Sequence, residues 1–188
     1  QAALYDIRTP GATGITKLRQ LNGKELSFNN LMDADAAWKL VNEFADPACA
    51  IIKHANPCGC AAGADLASAF ARAYDGDPQA AFGGIIALNR VVDAETAEAM
   101  VPRQFVEVVI APEFTPEALV ILTTKPKWKA NVRLLAVGAW QPIPRGARSA
   151  KNVLGGLLVQ DYDVLGWDPA TLTVATKRAP TAAELINL

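Results

Sequence analysis

A chain of 188 residues, 51% of them hydrophobic, with 18 Lys and Arg against 19 Asp and Glu, has the balance of a globular protein able to bury a sizeable core. Its uncharged apolar runs reach about eight residues, far below the roughly 18–20 that cross a bilayer as a helix, so no membrane partner is expected and a cytoplasmic location is. A formal net charge of −1 gives no broad attraction for a nucleic-acid backbone, and only Arg145, Arg148 and Lys151 cluster cations, so nucleic acid is not expected as a partner either.

The chain starts at Gln1 without a methionine, and the helix pattern of Thr181, Ala182, Ala183, Glu184 and Leu185 stops after barely two turns. A segment of a longer polypeptide is expected. Gly11 to Lys17 faintly resembles a phosphate loop, but Gly-x-x-Gly-x-x-Lys lacks the Walker spacing and no strand precedes it, so a surface loop is the reading. Asn30 and Asp33 offer caps to a helix whose apolar stripe is Ala34, Ala37, Trp38, Val41 and Phe44, ended by Asp46 and Pro47. Cys49 to Ile52 reads as a short buried strand. Asp65 caps a second helix with Leu66, Ala69, Phe70, Ala73 and Tyr74 inward; Gly83 and Gly84 then lead into a strand over 85–88. Asp93 caps a third helix running to Met100. An apolar strand over 105–111, broken only by Glu107, precedes Pro112, and Thr115-Pro116-Glu117 starts a fourth helix. A strand over 132–137 follows. The Pro-, Gly- and Arg-rich stretch 138–152 reads as a long loop, with later strands over 156–161 and 172–176.

Strands that are apolar throughout, not alternating, imply a sheet covered on both faces, with the intervening helices as crossovers. The predicted class is α/β, a three-layer α/β/α sandwich. Cys49, Cys58 and Cys60 are odd in number, which favours reduced thiols over a disulfide framework.

The segment from Ile51 to Gly59 sets the only histidine, His54, beside Lys53 where a buried strand runs out into Pro57 and Gly59. Ligands of α/β sheets gather at carboxyl ends of strands, so chemistry is expected there. On position alone a second reading stays open, in which Lys53 is a solvated strand end and His54 a hydrogen-bonded packing residue. Adjacent strand residues face opposite ways, so the two share one cleft only if the strand has ended by Lys53 or His54.

Lys53-His54-Ala55-Asn56-Pro57-Cys58-Gly59 resembles the Lys-His-x-x-Pro-x-Gly signature of aminoimidazole carboxamide ribonucleotide (AICAR) transformylase, the formyl-transfer half of bifunctional enzymes that also carry inosine monophosphate cyclohydrolase. The stretches 21–30, 33–37, 81–84, 103–112 and 155–161 are similar to the same family in the same order. The resemblance implies a cytidine-deaminase-like subdomain, with residues 1–188 as the first half of the transformylase domain. The cyclohydrolase domain and the family's Arg-Tyr-Gly-Glu-Asn-Pro-His motif then fall before Gln1. The second half, which supplies an asparagine and the folate contacts, falls after Leu188.

The activity so implied is transfer of a formyl group from 10-formyltetrahydrofolate to the exocyclic amine of AICAR, with no metal required, in a homodimer whose site spans the interface. That amine is a poor nucleophile, its lone pair delocalised into the ring and carboxamide, so a base must take its proton as the new bond forms; His54 suits that role. Lys53 suits the developing oxyanion and the departing folate nitrogen. Phe82, Gly83 and Glu107 match positions that bind the ribonucleotide, Gly83 by close backbone approach and Glu107 as an acidic contact. Asn56 is read as holding the turn or the substrate carboxamide. Two other classes remain to be weighed. A zinc-dependent deaminase-like hydrolase would use His54, Cys58 and Cys60, but the His-x-Glu and Pro-Cys-x-x-Cys spacings are missing. A non-catalytic nucleotide-binding module would bind the ribonucleotide without reaction.

Overall fold

Eight strands and five helices organise the protein in a computed structural model that describes residues 3–6, 14–103, 105–166 and 168–186. They fall into two units, 1–141 and 142–188. The first contains β1 (Arg19–Asn22), α1 (Phe28–Val41), β2 (Ala48–Lys53), β3 (Asn56–Ala62), α2 (Leu66–Gly76), β4 (Ile85–Leu88), α3 (Ala94–Met100), β5 (Val108–Ala111), α4 (Pro116–Thr124) and β6 (Arg133–Ala136). One sheet runs in the order β1-β6-β5-β4-β2-β3. At its centre β4, β5 and β6 are parallel, linked through α3 and α4, while β1, β2 and β3 run antiparallel to their neighbours.

The apolar runs explain the layering. Along β2, Cys49 and Ile51 enter one core while Ala48, Ala50 and Ile52 enter the other, and β4, β5 and β6 divide their residues the same way. One core is covered by α2, α3 and α4; α1 covers the other with Ala34, Ala37, Trp38 and Val41. The expected α/β class and its three layers are therefore borne out, because each of these strands has an apolar residue for both faces. Helix α2 buries the five residues its spacing predicts, and Asp65 caps it by accepting from the Ser68 N–H at 2.7 Å. Asp93 and Thr115 cap α3 and α4 as expected, with Pro116 in the first turn of α4.

Other expectations are corrected. Helix α1 begins at Phe28 under a capping box in which Ser27 accepts from the Asn30 N–H and Asn30 from the Ser27 N–H, so neither Asn30 nor Asp33 is its cap and Phe44 lies outside it. The chain after Lys53 does not run out into a Pro and Gly loop but turns straight into β3. Pro57 is tolerated there because β3 is the sheet's edge strand. Strand β5 starts at Val108, leaving Glu107 just before it. Gly14 to Lys17 contains one short 3-10 turn, whereas residues 11–13 lie outside the described residues.

In the second unit β7 (Arg148–Val153) pairs with β8 (Gly156–Asp161) in a hairpin, so the expected loop ends at Arg148. No strand forms over 172–176; these residues stand outside any regular element up to the bend at Thr176. Helix α5 (Ala182–Ile186) follows Thr181, whose hydroxyl accepts from the Glu184 N–H at 3.2 Å.

Candidate active site

β2 and β3 are joined by a two-residue turn, His54 and Ala55, closed by the pair Lys53 and Asn56. Both turn residues have positive φ, 54° and 60°, the left-handed region that such hairpins normally fill with Asn or Gly. Each costs about 1 kcal/mol or more in a residue with a Cβ. The turn is held from outside. The Ala55 N–H donates to the Asp33 carboxylate on α1 at 2.8 Å, and the Asn56 amide donates to the His54 carbonyl at 2.9 Å. Ala55→Gly is expected to remove the strain at φ 60° while keeping the N–H, raising stability by about 0.5–1 kcal/mol in urea unfolding; an unchanged or lower midpoint would show the turn unstrained.

His54 is exposed, and among the described residues its imidazole has no hydrogen-bond partner. The packing reading of this residue is thereby set aside. Lys53 is half-buried as the last residue of β2, and its ammonium donates to the Phe82 carbonyl at 2.9 Å. The strand has ended by His54, as the sharing of one cleft requires.

Lys53 thus leads directly to the Phe82–Gly84 segment. Gly83 has φ 72°, and its N–H donates to the Phe105 carbonyl at 2.7 Å. A Cβ there would meet only the Phe105 ring, at 3.7 Å, so backbone conformation and not close packing within the chain demands glycine. The Phe82 ring, half exposed, lies 6.0 Å from that of Phe105. The Glu107 N–H reaches the Gly84 carbonyl at 3.2 Å, which sets Glu107 on the same edge.

Glu107 immediately precedes an interior strand, since β5 lies between β4 and β6. One carboxylate oxygen accepts from the Asn30 amide at 3.0 Å and the Arg133 guanidinium at 3.3 Å; Arg133 also donates twice to the Glu25 carbonyl, at 3.1 and 3.0 Å. Asn30 is 4% exposed, so its amide depends on this carboxylate. Asn30, Asp33, Phe105 and Arg133 were not legible as site residues: Asn30 and Asp33 look like helix caps, and nothing local marks Arg133 or Phe105.

The expected rule of carboxyl ends needs restating. β2 runs against β4, β5 and β6, so its carboxyl end lies beside their amino ends: Ile52 pairs with Ile85, and Ile85 with Val108. Lys53, Gly83 and Glu107 therefore sit at the amino edge of the parallel strands. It is the reversed strand that brings a carboxyl end there.

The cysteines are arranged poorly for one ion. Ile51 faces Gly59 and Ile52 faces Pro57, so Cys58 is the extra residue of a β-bulge. Cys58 packs toward one core and Cys60 toward the other. Burial raises both thiols, Asp77 raises Cys58 further, and Lys53 pulls it partly back. A thiol so raised is a weak metal ligand and nucleophile.

Fold and site define an α/β protein that presents an ammonium and an imidazole on consecutive residues, Lys53 and His54, at the end of a strand. Its sequence matches the model of the AICARFT/IMPCHase bienzyme family over residues 1–188, and the chain belongs to that family. The resemblance drawn from the Lys53–Gly59 segment is borne out, and the protein is an enzyme of purine biosynthesis.

Proposed function

We propose that the chain carries the formyl-transfer site of this family: the formyl group of 10-formyltetrahydrofolate passes to the 5-amino group of AICAR. The observation that carries the reading is the exposed imidazole, without a hydrogen-bond partner among the described residues, on a turn fixed by Asp33 and Asn56. An exposed base with no structural duty is available to take the proton of the amine as nitrogen attacks the formyl carbon. The Lys53 ammonium, anchored on the Phe82 carbonyl, keeps donors in reserve for the oxyanion that forms at that carbon and for the leaving folate nitrogen.

Phe82, Gly83 and Glu107 form the ribonucleotide wall. Glu107 spends one oxygen on Asn30 and Arg133, leaving the other for substrate. Asn56 serves the turn, and we assign it no substrate contact. In this reading residues 1–188 act within a longer, cytoplasmic polypeptide whose second half adds folate contacts. The site is completed across a homodimer, no metal takes part, and cyclohydrolase activity resides on a domain before Gln1.

The experiment is tetrahydrofolate release by the full-length polypeptide with AICAR and 10-formyltetrahydrofolate. Absence of release from well-folded, dimeric protein that still binds AICAR would leave a binding module. For Glu107→Gln, the expected result is a rise of about tenfold in KM for AICAR, as a charged hydrogen bond becomes a neutral one; an unchanged KM would take Glu107 out of the wall.

A further inference from the structure

We propose that Asp33 is a positioning residue for His54, acting through the backbone of the turn; the inference rests on the formyl-transfer reading. In a two-residue hairpin turn of left-handed residues the central N–H groups point outward and are ordinarily met by water. Here the Ala55 N–H is instead fixed to a carboxylate on a different element, 22 residues away, at 2.8 Å. Ala55 directly follows His54, so this bond sets the plane of the peptide that joins them and with it the direction of the imidazole. The Asn56 amide donates to the other end of the same peptide group, the His54 carbonyl.

Helix α1 connects that tether to the substrate wall. Asn30, one turn before Asp33, holds Glu107 through its amide while its carbonyl oxygen completes the cap with Ser27. Residues three apart share a helix face, so one rigid turn of α1 spaces the base from the ribonucleotide-binding carboxylate. The sheet beneath keeps α1 in place through Ala34, Ala37 and Trp38, all buried immediately after the tether. A catalytic base must sit within hydrogen-bond reach of its proton, and an error of about 1 Å can cost about 100-fold in rate.

Steady-state kinetics of the full-length protein test this. Asp33→Ala is expected to lower kcat for tetrahydrofolate release by 10- to 100-fold, with KM for AICAR changed less than threefold and the melting temperature within a few degrees of the parent. Asp33→Asn keeps an acceptor oxygen at the same place and is expected to regain at least half of the lost rate on a logarithmic scale. In a double-variant cycle, adding Asp33→Ala to His54→Ala should produce no further loss, because the one acts through the other. An unchanged kcat in Asp33→Ala, an Asn variant as poor as Ala, or full additivity with His54→Ala would each overturn the role. If Asp33→Ala does not fold, the Asn rescue and exchange of the Ala55 amide in the parent decide: rapid exchange there would show no tether. Parent protein that releases no tetrahydrofolate overturns the formyl-transfer reading itself, whereas an active parent with an unaffected Asp33→Ala overturns only the positioning.

Discussion

Replacing His54 by alanine is expected to reduce tetrahydrofolate release by about 10²–10⁴-fold, the usual worth of a positioned general base. The structure makes this substitution unusually clean. The imidazole is exposed and has no partner among the described residues, so its removal orphans no buried group and empties no core. Ala55 already shows that this backbone accepts alanine at positive φ in the adjacent position, and the bonds from Ala55 to Asp33 and from Asn56 to the His54 carbonyl involve no imidazole atom. Thermal stability and AICAR affinity should therefore stay near those of the parent while turnover falls. Isothermal titration with AICAR beside the rate assay separates the two. Turnover equal to the parent's would falsify the assignment of the base.

The second large effect is on stability, at Gly59. This glycine belongs to the same sequence signature as Lys53 and His54, yet its duty is packing. A Cβ built on Gly59 would lie 1.8 Å from the Ala73 carbonyl oxygen and 2.8 Å from its carbon. Both are backbone atoms in the middle of α2, which cannot swing aside as a side chain would. Gly59→Ala is expected to cost about 3 kcal/mol, the upper end for overpacking, read as a fall in the urea midpoint at constant slope. Tetrahydrofolate release should fall with it, since β3 carries one side of the turn that holds His54. A loss under about 0.5 kcal/mol would mean that α2 and β3 separate easily.

Much of the architecture is legible in the sequence wherever one local force dominates. The α2 stripe of Leu66, Ala69, Phe70, Ala73 and Tyr74 is buried as its spacing requires, and Asp65, Asp93 and Thr115 cap as their side chains dictate. The unbroken apolar runs of β2, β4 and β5 place these strands inside. Legibility fails where tertiary pairing overrides local chemistry. Pro57, Cys58 and Gly59 look like a turn, but a lost N–H is harmless on an edge strand and the missing Cβ of Gly59 makes room for α2. Strands β1 and β7 are polar and carry no periodic signal. For α1, three cap-type residues compete, and Ser27 prevails because Asn30 returns its hydrogen bond.

The site divides in the same way. Lys53 and His54 were visible because a histidine and a lysine at the end of a buried run are conspicuous. Gly83 was visible as half of a glycine pair, although its physical reason is a φ of 72°. Hidden were the links across 77 residues from Asn30 to Glu107, across 26 from Glu107 to Arg133, and across 22 from Asp33 to Ala55. No local pattern encodes such distances, and they become readable only when the sheet order is known.

The two-residue turn and the bulge at Cys58 also bear on how this stretch can vary among related sequences. Losing one residue from the turn would leave too little chain to reverse direction, and gaining one would carry the imidazole past the Asp33 tether. Deleting the bulged residue would leave Ile52 opposite Pro57 and Ile51 opposite Gly59, but it would remove the local kink with which β3 approaches the turn. Surface loops of a fold tolerate changes of length, whereas the turn closed by Lys53 and Asn56 is a place where an insertion or deletion is expected to cost more than a substitution.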